Sequence, residues 1–207
     1  VDRRYQVFVS STYTDLVQER AAVISMLLDL DALPAGMELF PATNDDAWTL
    51  IQQVIDESDY YLLVIGGRYG STDTATEVSY TEKEFDYARD EGKPVMAFLH
   101  GDPGKIAVED TDQDEDSRKK LEAFRARVEE QVHVKYYTGP DALRGHVAAG
   151  FQKLQKSHPA VGWVRGDVPT SSESLQELNA LRKELDEARR QLNAAREAPP
   201  PGSEKFA

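Results

Sequence analysis

The sequence predicts an α/β fold, a doubly wound parallel sheet of about five strands over residues 1–165, followed by a C-terminal coiled-coil helix. Two observations point to the sheet. Short segments that are apolar throughout alternate with longer amphipathic ones, the pattern of strands buried on both faces between helices. Five such strand–helix units fit into the first part of the chain, the connectivity of a flavodoxin-like domain. A third observation, a leucine and alanine heptad beginning only after a polar linker, predicts the appended helix.

The elements follow in order. "YQVFVS" (5–10) reads as a buried strand. "DLVQERAAVISMLLDL" (15–30) is helical, with Leu16, Val23, Leu27 and Leu30 at helical spacing. "MELF" (37–40) is expected to be a short strand, and "AWTLIQQVIDES" (47–58) a helix with Leu50, Ile51, Val54 and Ile55 on one side. "YYLLVIGG" (60–67) is a continuous apolar strand stopped by two glycines. A helix from Ser79 to about Glu91 ends at Gly92 and Pro94. "PVMAFLH" (94–100) is a fourth strand, followed by a polar helix (116–131), a strand "VKYYT" (134–138) and a helix from Asp141 to about Gln155.

"GDVPTSSES" (166–174) is a linker by composition. In residues 175–198, Leu178, Leu181, Leu185, Ala188, Leu192 and Ala195 take successive a and d positions. Glu177, Glu184 and Gln191 fall at g, and Arg182, Arg189 and Arg196 at e, so the charges match between parallel copies and predict self-association. Residues 199–207 read as a disordered tail.

Composition excludes several functions. The net charge of −13 opposes a phosphate backbone, so nucleic acid is not an expected partner. No stretch reaches the ~18 apolar residues of a membrane span. The absence of cysteine removes thiol catalysis and zinc–thiolate sites and fits a reducing cytoplasm. The chain opens on Val1 without a signal-peptide pattern, as a fragment of a longer protein would. The acidic run "VEDTDQDEDS" (108–117) lacks the Gly and terminal Glu of a calcium loop and reads as solvated. The histidines (100, 133, 146 and 158) have no ligand spacing, so no metal site is expected.

In doubly wound sheets, ligands bind beyond the carboxyl ends of the strands near the switch in strand order, which selects "SSTYTD", "PATNDD" and "GGRYGS". Ser10, Ser11 and Thr12 read either as a helix cap, Thr12 with Asp15 having capping-box spacing, or as hydroxyls for a phosphate or ribose. Asp45 and Asp46 cap the second helix or touch a ligand. Arg68 and Tyr69 are a pyrophosphate-binding cation and a base-stacking ring, or an ordinary surface Arg and packed Tyr.

"SYTEKEFDYA" (79–88) raises a sharper question, because Glu82 and Glu84 share one helical turn. Ser79 and Glu82 have the S-x-x-E spacing of a capping box, which gives Glu82 a structural task. Glu84 has no cation at i±3 or i±4, and lies at the border of the buried face marked by Phe85 and Ala88. Its spacing is compatible with a surface residue or a catalytic one.

"YQVFVSSTYTDLVQER", "IDESDYYLLVIGGRYGS" and "SYTEKEFDYA" resemble the TIR-related family of uncharacterised N-terminal domains often fused to STAND-type NTPases. In TIR domains an aromatic residue is followed, after three residues, by Glu, and Tyr80 to Glu84 reproduces that spacing with Tyr in place of the usual Trp. "GGRYGSTDTATEV" is longer than the corresponding TIR loop. The resemblance implies a TIR-like fold and, by the enzymatic members, cleavage of the nicotinamide–ribose bond of NAD(P) as substrate. Glu84 is then catalytic, with Ser10, Ser11, Thr12, Arg68, Tyr69, Tyr80 and Asp46 around the substrate. It further implies gating by oligomerisation in bacterial immune or antiphage defence. Many TIR domains only scaffold assembly, and nucleoside 2-deoxyribosyltransferases share the fold and a carboxylate nucleophile.

Overall fold

The computed structural model describes residues 3–36 and 47–165, together with residues 180, 181 and 183. The expected strand 37–40, Asp45 and Asp46, the linker, the tail and all but three positions of the heptad helix lie outside the described residues.

Five strands form one sheet: β1 (Gln6–Ser11), β2 (Leu33–Ala35), β3 (Tyr60–Ile65), β4 (Val95–His100) and β5 (Val134–Tyr137). All neighbouring pairs are parallel, and the order β2-β1-β3-β4-β5 puts the reversal of winding between β1 and β3. The helices are α1 (Val17–Asp29), α2 (Ala47–Glu57), α3 (Tyr80–Asp90), α4 (Glu115–Gln131) and α5 (Pro140–Ser157).

β3 explains the two-layer cover. All six of its residues are buried, and successive side chains point to opposite faces. Tyr60, Leu62 and Val64 join Val23, Leu27, Val147 and Phe151 from α1 and α5. Tyr61, Leu63 and Ile65 join Ile51, Phe85 and Phe124 from α2, α3 and α4. An unbroken apolar strand is therefore what this position requires.

One strand not expected from the sequence is present, and one local expectation changes. β2 is Leu33–Pro34–Ala35, a three-residue strand at the sheet edge, where Pro's missing N–H breaks no ladder on the open side. The Thr12–Asp15 capping box does not form: α1 starts at Val17, its N-cap is Leu16, and no side chain caps it. The Asp15 carboxylate accepts instead from the Gly67 N–H at 3.2 Å, tying the β1–α1 loop to the end of β3. Burial raises the Asp15 carboxyl above the usual carboxylate range, against the lowering effects of the nearby Thr12 hydroxyl and of that N–H.

The acidic segment is divided in use. Val108–Asp110 form a single 3-10 turn, Asp112 Oδ2 accepts from the Tyr69 N–H at 2.6 Å, and Asp114 caps α4 by accepting from the Ser117 N–H at 2.7 Å. That last bond lowers the Asp114 carboxyl below its usual range. No helix among the described residues is long and apolar enough to cross a membrane.

Candidate functional site

Ser79 opens α3. Its backbone is extended, and its hydroxyl accepts from the Glu82 N–H at 3.1 Å. The return half of the capping box takes another route. The Ser79 N–H donates to the Tyr69 hydroxyl at 3.2 Å, and that hydroxyl donates to Glu82 Oε2. Tyr69 thus stands between the two partners that the S-x-x-E spacing joins directly. Burial and the Glu82 carboxylate raise the Tyr69 hydroxyl's pKa. At 4% exposure within the core against α3, its ring offers no face on which a base could stack.

Glu82 is held from its other side by Arg127 of α4, whose guanidinium also reaches both oxygens of Asp86. The same guanidinium lies over the Phe124 ring at 5.5 Å and the Phe85 ring at 6.0 Å. α3 is therefore clamped to α4 along one side.

Glu84 turns the other way. It is 4% exposed, which removes the surface reading, and the Ser10 hydroxyl of β1, itself 1% exposed, donates to Glu84 Oε2. Tyr61 of β3 lies against this pair. Its hydroxyl has no well-formed hydrogen bond, and burial, followed by the Glu84 charge, raises its pKa far above the ordinary value.

Glu84 borders a cavity of about 520 Å³ at the carboxyl end of β1, beside the point where the sheet's winding reverses. Ser11, Thr12, Arg68 and Tyr80 also line it. Two polar atoms in this lining are buried without a hydrogen-bond partner, Thr12 Oγ1 and Arg68 Nε, while Arg68 Nη2 donates to the Glu109 carbonyl. Gly70, at φ +93°, closes the wall: a Cβ there would stand 2.8 Å from Thr12 Cγ2, so the chain could not pass so near with a side chain.

Of the residues singled out from sequence, Ser11, Thr12, Arg68, Tyr80 and Glu84 come together at this cavity, and Ser10 stands behind Glu84. Tyr69 does not line it, and Asp46 is outside the described residues. Sequence reasoning missed Arg20, 5% exposed on α1, which donates to the Ser11 hydroxyl. Its signal was legible: Arg20 occupies a core position between Leu16 and Val23, Leu27 on the apolar stripe of α1. It also missed Thr81 and Asp112 in the cavity wall and Tyr13, 61% exposed, at its lip.

The longer loop after β3 is ordered as a small hairpin. Thr72 bridges Ser79, Glu77 takes a positive φ of 57°, and Lys83 of α3 pairs with Asp73. Lys83 also sits 4.2 Å above the Trp48 ring and 5.6 Å from that of Tyr80, so the cavity-lining Tyr80 is packed against a fixed cation.

Residues 6–152 match the model of the family described as Domain of unknown function (DUF4062). No curated protein matches the chain. Among solved structures, the chain is similar to the TIR domains of the activated Roq1 resistosome directly recognizing the pathogen effector XopQ, at 10% identity and a TM-score of 0.38, over 86% of this chain and 98% of that one.

Proposed function

Because the chain belongs to the DUF4062 family, whose description assigns no activity, we propose from the site itself that it is a TIR-like module cleaving the nicotinamide–ribose bond of NAD(P). The observation that carries this reading is the buried Glu84 carboxylate, held by Ser10, in the wall of a cavity large enough for a nucleotide fragment.

The chemistry asks for such a group. The bond between ribose C1′ and the pyridinium nitrogen breaks with its electron pair going to nitrogen, so neutral nicotinamide leaves without an acid. Positive charge develops at C1′ and the ring oxygen, and a fixed carboxylate in a water-poor site stabilises it. Water then adds to C1′ and releases a proton, giving ADP-ribose. Arg68, with a buried unpartnered Nε, suits a pyrophosphate oxygen, and Thr12 Oγ1 suits a ribose or phosphate group. Ser11, oriented by Arg20, supplies a further hydroxyl at the wall.

Parallel pairing of the residue 175–198 helix would raise the local concentration of the domain, which is the proposed gate of an immune or antiphage effector. Concentrated protein incubated with NAD should release equimolar nicotinamide and ADP-ribose, more per molecule as concentration rises and less after deletion of residues 172–207. Deoxynucleoside base exchange in place of nicotinamide release would assign the carboxylate to deoxyribosyl transfer. Neither activity at any concentration would leave an assembly domain.

A further inference from the structure

A second cavity, of about 440 Å³, shares no lining residue with the one at Glu84 and lies between α5 and the start of β4 beside β5. Its floor is apolar: Met96, Ala97 and Phe98 of β4 and Leu154 of α5 line it. β5 pairs only with Ala97–His100, so the first two residues of β4 extend past their neighbour's ladder.

One position in α5 opens this space. Gly150 sits inside an 18-residue helix, where glycine is the least favourable residue after proline. No positive φ requires it there. A Cβ at residue 150 would project to 3.6 Å from Met96 Sδ and 3.6 Å from Phe98 Cζ, ordinary contact distances, so a longer side chain would grow into the groove. Of the two glycines in α5, Gly145 faces open space, whereas Gly150 lines the cavity and leaves room there that a side chain would occupy.

The charge of the walls is opposite to that of the chain. His133 and Lys135 stand on the β5 side, and His146, Lys153 and His158 on the α5 side. No Asp or Glu lines the cavity, although the chain carries 37 acidic against 24 basic residues and a net charge of −13. The three histidines are not grouped as a metal-holding set among the described residues. An apolar floor under a rim that carries two lysines and no carboxylate is complementary to a molecule with an apolar body and an anionic head. The volume falls in the small-molecule range of ~300–1,000 Å³.

We propose that the β4–α5 groove is a binding site for a small anionic amphiphile, an aliphatic carboxylate or its equivalent, held by its chain over Met96 and Phe98 and by its head group at Lys135 and Lys153. The site is independent of the nucleotide reading of the Glu84 cavity.

Titration of the full chain with decanoate, followed by calorimetry and by amide chemical shifts, tests this. Decanoate should saturate one site, move the signals of Met96, Phe98 and Gly150, and bind at least tenfold more tightly than decyltrimethylammonium. Gly150→Leu should abolish binding at an undiminished Tm. Should that variant fail to fold, the double variant Lys135→Glu, Lys153→Glu changes only exposed side chains. It should weaken decanoate at least tenfold and strengthen decyltrimethylammonium. Equal affinity for the two probes, shifts mapping elsewhere, or undiminished decanoate binding in these variants would overturn the proposal. So would failure of decanoate beside binding of an acidic amphipathic peptide, which would make the groove a protein-docking surface.

Discussion

On the side of α3 that faces α4, Glu82 accepts from Tyr69 and pairs with Arg127, which also holds Asp86. On the side that faces β1, two residues further along, Glu84 is buried against Ser10 and borders a cavity whose lining contains buried polar atoms without partners. The residue type is the same and the helical turn is shared. What differs is the opposing element: α4 brings a cation stacked on two rings, whereas β1 brings the Ser10 hydroxyl, with a cavity beyond its carboxyl end. The clamp fixes the helix, and the cavity where Arg68 Nε is buried without a hydrogen-bond partner is where a ligand would add one.

The largest separation of the two sides should come from Glu84→Gln. That variant keeps the side chain's shape and should reduce nicotinamide release at least a hundredfold, with a Tm within a few degrees of wild type. Glu82→Gln should show the reverse, near-normal turnover with a lower Tm, because it weakens the pairing to Arg127. Equal turnover by wild type and the Glu84 variant would erase the distinction.

Arg68→Ala is next. A charge-assisted contact to pyrophosphate is typically worth ~1.5–3 kcal/mol, so KM should rise roughly ten- to a hundredfold with a smaller change in kcat. An unchanged KM in steady-state kinetics would return Arg68 to its bond with the Glu109 carbonyl as its whole role.

Arg127→Met tests the clamp. It leaves Glu82 and Asp86 without their cation and should lower stability by about 2 kcal/mol, below the value for a fully buried pair because the guanidinium and Asp86 are partly exposed. Denaturant unfolding measures it, and a loss under about 0.5 kcal/mol would mean that solvent replaces the clamp.

Ser79→Ala removes the cap shared by both sides and should be the smallest effect, about 1 kcal/mol. Activity should survive, since Tyr69 still accepts the Ser79 backbone N–H. Loss of turnover without loss of Tm would show that the cap sets the position of Glu84.

This contrast also explains what the sequence could reveal. The Ser79 cap and the buried face of α3 are encoded within a few residues, so spacing exposes them. β3 is legible because both its faces are covered, while β2, short, at an edge and holding Pro34, leaves no alternation to read. Arg127 meets Glu82 across 45 residues and Ser10 meets Glu84 across 74, distances over which local spacing carries no information. Spacing leaves Glu84 open between surface and catalysis, and only the aromatic-to-Glu resemblance implies the catalytic role. For Tyr69 the sequence leaves a stacking ring and a packed one open, because a glycine-flanked loop does not disclose that its hydroxyl turns back into a helix cap. The α1 start was displaced because Asp15 is drawn to a backbone N–H on another strand's loop.

Time-resolved proton NMR of the concentrated full chain with NAD, following the nicotinamide resonances, decides whether the Glu84 cavity cleaves NAD. Free nicotinamide and ADP-ribose should appear together in equal amounts, at a rate that grows faster than linearly with protein concentration. NAD that stays intact at every concentration, with no perturbation of Ser11, Thr12, Arg68 or Glu84 signals on its addition, would contradict it.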